Sequence, residues 1–275
     1  MEWDGMARGR RRVVARAVWL AVAIGILCAL CVLFWGASSH GRSYRGGGGI
    51  ATEAPLPRVT AADLPRVVPT AAGESIVIHR KQNDKMQIAL TFDDGPHPRY
   101  TPEILKILEG YGIKATFFMI GENVKYYPAA AEAVLAAGHE VGNHTYSHRR
   151  LPPLDDREIL SEVTACEDAI ASIAEYRPRL IRPPQGELTD EDERLLGALD
   201  YRIILWDVDT RDWAHTPPAE IAGNVCERVA AGDIILMHDF IGHDSPTAEA
   251  LRLFIPTLLE RGYHFVTVGE LLDGE

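Results

Sequence analysis

Two adjacent carboxylates, Asp93 and Asp94, follow an apolar run and precede a Gly95-Pro96 turn. Side chains alternate along a strand, so neighbouring aspartates at its end are expected to point in different directions. One can then hold a metal while the other acts on what the metal binds. Further on, His144 and His148 stand four apart in Gly142-Asn143-His144-Thr145-Tyr146-Ser147-His148. Two imidazoles at that spacing can converge on one ion, and imidazole suits zinc and similar metals. A zincin protease needs Glu directly after the first histidine, where this chain has Thr145. With Asp94 as a third ligand the site is open-sided and leaves a position for water. Arg182, ahead of Pro183-Pro184-Gln185-Gly186, can hold a carboxylate in place beside a stiff turn. Segment 206–213 adds acids, Asp212 among them, and a large apolar wall, and His238 ends the apolar run 234–237. Singly, each has a plainer reading: a solvated turn, two surface histidines, a surface arginine, a core tryptophan, a structural histidine.

What joins them is the element that precedes each one. The run 88–92 reads as a strand buried on both faces, as in a parallel sheet. Further strands are expected at 75–79, 115–120, 139–142, 179–182, 202–206, 233–237 and 263–267. A helix is expected from Thr101 as its cap and Pro102 as its first residue. Others are expected at 128–137, ended by Gly138, and at 155–174, 189–199, 217–231 and 246–260. Strand and helix alternating in this way predict an α/β fold, a closed or partly closed barrel of about seven parallel strands. Asp, His, Arg and Trp then gather at the carboxyl end of one barrel, where such folds place chemistry.

The chain has 275 residues, 47% of them hydrophobic, enough for one sizeable domain plus extras. Residues 1–50 hold seven Lys and Arg against two acids, leaving 21 bases against 37 acids in the remainder. So acidic a body argues against nucleic acid and anionic lipid head groups as partners. Residues 17–36 are uncharged and long enough to span a bilayer core of about 30 Å. Arg8, Arg10, Arg11, Arg12 and Arg16 precede them, which predicts a cytoplasmic tail at 1–16 and an exported body. The length favours an uncleaved anchor, with a cleaved signal as the alternative. Residues 37–72, rich in Gly and Pro, read as a linker to a domain at 73–275. Cys28 and Cys31 fall in the apolar run, and Cys166 and Cys226 read as buried free thiols in separate helices.

Over roughly residues 85–272 the sequence resembles the polysaccharide deacetylases of the NodB-homology type, carbohydrate esterase family four. The resemblance rests on Thr91-Phe92-Asp93-Asp94-Gly95-Pro96, His144-Thr145-Tyr146-Ser147-His148, Arg182-Pro183-Pro184, Asp212-Trp213 and Leu236-Met237-His238, in the family's order. It implies a deformed (β/α) barrel and metal-dependent removal of N-acetyl groups from an N-acetylglucosamine-containing polymer, peptidoglycan or chitin-like. It implies Asp93 as general base and Asp94, His144 and His148 as ligands of one divalent ion, zinc before cobalt or manganese. It further implies Arg182 positioning the base, Asp212 orienting His238 as general acid, and Trp213 and Leu236 lining the acetyl pocket. One position departs: Gln185 stands where the family usually has Tyr or Phe. Its backbone N–H is the part expected to meet the oxyanion, so substrate contact at that wall is what the change puts in question.

Two other readings stay open on the sequence. Two histidines and a carboxylate also suit a mononuclear iron oxygenase, though the paired aspartates and His238 favour hydrolysis. A catalytically silent wall-binding protein on a membrane stalk would share the fold but not need every motif residue. The catalytic domain is expected to be monomeric and to meet the cell's own wall.

Overall fold

The computed structural model describes residues 76–274, so the expected tail, anchor and linker at 1–72 lie outside the described residues. Among the described residues no helix is long and apolar enough to cross a membrane. The strands are β1 Val77–Ile78, β2 Gln87–Asp93, β3 Thr116–Met119, β4 Glu140–Asn143, β5 Leu180–Ile181, β6 Arg202–Ile204, β7 Val208–Asp209, β8 Ile234–His238 and β9 His264–Val266. Helices α1 Tyr100–Tyr111, α2 Gly121–Tyr126, α3 Pro128–Ala136, α4 Asp156–Ala171, α5 Asp190–Ala198, α6 Pro218–Arg228, α7 Thr247–Glu260 and α8 Val268–Asp273 alternate with them.

Every named strand pairing is parallel, in the order β1-β6-β5-β4-β3-β2-β8-β7, with β9 beside the first half of β2. Among the described residues β1 and β7 end that order without pairing to each other. The sheet nevertheless curls: Arg80, just past β1, bridges to Asp233, just before β8, and forms ion pairs with Asp207 and Asp233. The result is a half-barrel in which the one strand not expected from the sequence is β7, a two-residue piece with little apolar signal.

All seven residues of β2 are buried, which is why its sequence lacks the alternation of a half-exposed strand. Ile88, Leu90 and Phe92 are wholly inaccessible, worth about 1.5–3 kcal/mol each in removed apolar surface. They pack with Ile104 and Leu108 of α1 and Phe254 and Leu258 of α7. The register sets Asp93 beside His238 on β8 and beside Phe118 on β3.

Two local expectations, at Thr101 and Cys226, need correction. Thr101 is not a cap: α1 starts at Tyr100, and the Thr101 hydroxyl is engaged by the His97 N–H and Asp239. Segment 206–213 holds β7 and the start of a short 3-10 turn, Asp212–Ala214. Helices α2 and α8 are additional; both have six residues, too few for a 3.6-residue apolar period to show. Of the two described cysteines, both free, Cys166 is buried but Cys226 only partly so.

Candidate active site

Because the sheet is parallel, the loops after β2, β4, β5, β7 and β8 emerge at one end. Asp94 leaves β2 in the left-handed region, φ 73°, a conformation costing a non-glycine residue of order 1–3 kcal/mol. That turn brings Asp94 round to the side of Asp93. Both carboxylates face His144, at 3.3 and 3.8 Å, instead of diverging as strand alternation predicts. Neighbours hold the turn. Asn123 of α2 donates to the Asp94 carbonyl (2.8 Å), the Ile120 N–H to the Gly95 carbonyl (2.9 Å) and the Asp239 N–H to the Asp93 carbonyl (3.1 Å). The Asp239 carboxyl packs so closely on Gly95 that a β-carbon there would lie 2.1 Å from its oxygen.

The loop after β4 is gathered by a residue the sequence did not single out. Buried Glu162 of α4 accepts from the N–H groups of Tyr146 and Ser147 and from the Ser147 hydroxyl. Thr145 and His148 are left-handed as well, φ 65° and 58°. His144 Nδ1 lies 2.7 Å from the Arg182 carbonyl, which can only accept, so Nδ1 carries the proton and Nε2 offers its lone pair.

The three expected ligands therefore meet. Asp94 Oδ1 stands 3.3 Å from His144 Nε2 and 3.2 Å from His148 Nε2, and all three ligand atoms lie within 4.8 Å of one another. Ligands about 2.0–2.2 Å from a tetrahedral ion sit roughly 3.3–3.5 Å apart, so the spacing suits zinc. Asp94 Oδ1 is also buried without a hydrogen-bond partner, an orphan that a cation would satisfy. Burial pushes the Asp94 carboxyl up, but the two imidazoles outweigh it and hold it below the ordinary range. The same carboxylate raises His148. The residues present fit a divalent ion.

Arg182 lies wholly buried under the site. It donates to Asp93 Oδ1 (2.7 Å), the Thr91 hydroxyl (2.8 Å) and the carbonyls of Ile204 and Leu205. Its guanidinium lies over the rings of Phe118 and Trp206. Burial lowers its pKa, and Asp93 opposes that. Across the register pair, Asp212 takes four hydrogen bonds: from His238 Nδ1 (2.8 Å), the His238 N–H (2.8 Å), the Trp213 N–H (2.9 Å) and the Thr247 hydroxyl (2.7 Å). Burial would lower His238, yet Asp212, with Asp93 and Asp94 further off, lifts it to about 9.

Asp93, Asp94, His144, His148, Gln185, Trp213, Leu236 and His238 line one cavity of about 530 Å³; Arg182 and Asp212 support it from beneath. Glu187, Trp206 and Asp209 complete the lining, and no Lys or Arg takes part. Gln185 is exposed on the rim, its backbone left-handed at φ 62°. Asp209 belongs to the acid-bearing segment 206–213, whereas Glu187, Thr247, Asn123 and Glu162 carried no sequence signal, being single polar residues outside any spacing pattern.

A family model described as polysaccharide deacetylase matches residues 80–204. A peptidoglycan-N-acetylglucosamine deacetylase of Bacillus cereus is 37% identical over 191 residues, 69% of this chain and 70% of that protein. A chitooligosaccharide deacetylase of a Bradyrhizobium species is 34% identical over 196 residues, 67% of this chain and 90% of that one. Among solved structures, a peptidoglycan N-acetylglucosamine deacetylase in complex with 4-naphthalen-1-yl-N-oxidanyl-benzamide superposes with a TM-score of 0.69 at 35% identity. It covers 72% of this chain and 92% of its own.

Proposed function

The chain belongs to the polysaccharide deacetylase family, amide hydrolases acting on polysaccharides, and from that premise we propose its substrate, metal and site roles. The substrate is an N-acetylglucosamine unit of a polymer, the cell wall's peptidoglycan first and a chitin-like chain second. The observation that carries this is the pairing of two proton-handling groups across one cavity. Asp93, tied to Arg182, stands in register with His238, tied to Asp212. Four carboxylates in the lining and no Lys or Arg favour an uncharged sugar over one that bears its own carboxylate.

Asp94, His144 and His148 would hold one divalent metal, zinc before cobalt or manganese. Bound there, it supplies positive charge that polarises a carbonyl and makes water more acidic. Asp93 takes the proton of the attacking water, and Arg182 fixes its carboxylate in direction. The Gln185 N–H meets the developing oxyanion. Trp213 and Leu236 wall the acetyl methyl. His238, kept charged by Asp212, gives its proton to the departing nitrogen, and the products are amine and acetate. An ester in place of the amide would fit the same cavity, and acetylated alcohols are the control that separates the two.

Full-length protein in detergent should release acetate from peptidoglycan and from N-acetylglucosamine oligomers, lose that activity to a chelator and regain it with zinc. Binding of wall glycan without acetate release under any metal would instead make the protein a silent binder. We further propose a cytoplasmic tail at 1–16, an anchor at 17–36 and a linker at 37–72 that carry a monomeric domain at 73–275 outside the membrane. The arginine-flanked apolar run supports this. Protease added to intact cells should free the domain; a body protected until the membrane is breached would sink the topology.

A further inference from the structure

Thr145 turns the chain between the two histidine ligands, and does so in a conformation that β-branched residues avoid, φ 65°. Its N–H is held by the residue ahead of the first histidine: Asn143 Oδ1 accepts from it at 2.8 Å. Asn143 is wholly buried, so both ends of its amide need partners inside the protein. Its Nδ2 donates to the Val163 carbonyl of α4 (3.0 Å) and to the Tyr201 hydroxyl (3.0 Å). A carbonyl only accepts, so the amide nitrogen must face Val163 and the oxygen Thr145.

Tyr201 stands just before β6, two strands across the sheet from β4. Its ring is buried in an apolar cluster with Val163, Ile181, Leu196 and Ile203. Its hydroxyl donates to Glu167 of α4, whose other carboxylate oxygen pairs with exposed Arg177 at 3.2 Å. Burial, and then Glu167, push this phenol's pKa up, so it keeps its proton. A phenol that gives its hydrogen bond to a carboxylate has its lone pairs free for Asn143. Every link therefore has a fixed direction, Thr145 to Asn143 to Tyr201 to Glu167, and hydrogen bonds aligned in this way polarise one another. The apolar cluster would accept a phenylalanine; only the hydroxyl answers to Asn143.

We infer that Tyr201 is a positioning residue for the metal centre: its hydroxyl, anchored on Glu167, fixes the Asn143 amide, which holds the left-handed turn that brings His144 and His148 to one ion. The inference rests on the metal reading above for that ion. The Gly121 N–H of α2 grips the same residue at the Thr145 carbonyl (3.0 Å), so loss of the hydroxyl should loosen the turn without undoing it.

The test uses the full-length protein carrying Tyr201→Phe, which removes the hydroxyl and keeps the ring. Its zinc dissociation constant, read by equilibrium dialysis against a buffered chelator, should rise about 3- to 10-fold, one hydrogen bond's usual worth. In the metal-free protein, backbone hydrogen exchange over 144–148 should quicken by a similar factor while exchange over 93–97 stays put. Glu167→Gln, whose amide oxygen can still accept, should keep both wild-type values. Asn143→Ala should weaken zinc binding more, about 10–100-fold, and Tyr201→Phe should add nothing to it. Unchanged zinc affinity and exchange in Tyr201→Phe would overturn the inference. So would exchange quickened alike at both loops, or a loss that adds to that of Asn143→Ala, since each marks a merely structural tyrosine. Should Tyr201→Phe fail to fold, Glu167→Ala makes the same comparison from the outer end of the chain of bonds. If the wild type bound no zinc, the metal reading would fail, and exchange over 144–148 would still decide whether Tyr201 holds the turn.

Discussion

Two aspartate–histidine groups share one end of the sheet, built from the same residue types and wired differently. Asp212 is fully buried, and its two oxygens accept four hydrogen bonds, two of them from His238. Nothing on that carboxylate is left to offer, so its charge acts only through the imidazole it holds. Asp94 is partly open, and its Oδ1 has two imidazole nitrogens close by and no donor. His144 is turned with its lone pair towards that oxygen by the Arg182 carbonyl behind it. A satisfied carboxylate makes its histidine an acid, and an unsatisfied one between two imidazoles calls for a cation.

The sharpest way to break that contrast is to remove one member of each group. Asp94→Ala or His144→Ala should abolish both bound metal and turnover, read by metal analysis alongside acetate release. Asp93→Asn and His238→Asn should lower turnover about 10²–10⁴-fold with metal retained. Metal lost from either of the latter two would reassign the roles.

The pH profile gives the next largest effect. His238 is lifted above its ordinary 6.5 to about 9, so it stays protonated through neutrality and loses its proton as pH rises through that value. Activity that needs the acid form should therefore hold to about pH 9 and fall beyond it. The stability its charge contributes is complete below 6.5 and is lost over the same rise. Asp212 is the nearest charge facing it, with Asp93, Asp94 and His148 across the cavity. Asp212→Asn should move the alkaline limb of kcat/KM downward while metal content stays constant. A limb that did not move would detach it from His238.

A smaller effect probes what holds the metal side. Asn123→Ala frees the carbonyl of left-handed Asp94, and metal affinity should fall about 10–100-fold, the usual scale for groups behind a ligand. Equilibrium dialysis against a buffered chelator reads it directly. Unchanged affinity would show that the Ile120 and Asp239 contacts hold the turn alone.

Why the ligands and proton carriers were legible in the sequence, and Asn123 was not, has a physical reason. Asp93 and His238 end buried parallel strands, which are written as apolar runs, while His144 and Arg182 stand in compact local motifs just past β4 and β5. The groups behind them are lone polar residues whose partners lie far off in sequence: Glu162 sixteen residues from Tyr146, Thr247 thirty-five from Asp212, Thr101 138 from Asp239. No periodicity marks such a contact. Nor did composition reveal the left-handed turns at Asp94, Thr145, His148 and Gln185, since none is glycine. Strain of that kind persists only where several neighbours enforce it, which clusters it at sites and hides it from local propensity. The expectation that Asp93 and Asp94 would diverge failed for this reason.

Gln185 should have the smallest effect, and it tests the rim against the buried groups. It lines the cavity with its side chain exposed, in a turn stiffened by Pro183 and Pro184. If its backbone N–H is what meets the oxyanion, the side chain is free to vary so long as the residue stays left-handed at φ 62°. Gln185→Tyr pays much the same conformational cost as the residue it replaces, so turnover should stay within a few-fold while preference among polymer lengths shifts. Gln185→Gly removes that cost, of order 1–2 kcal/mol for a side-chain-bearing residue, and should raise the melting temperature slightly with turnover kept. Loss of a true oxyanion donor typically costs about 10²–10³ in rate, which sets the scale. A 10²-fold fall in turnover for both variants, with fold and metal intact, would mean that the amide side chain itself takes part. The rim would then be chemistry like the groups beneath it, and the backbone account would have to go.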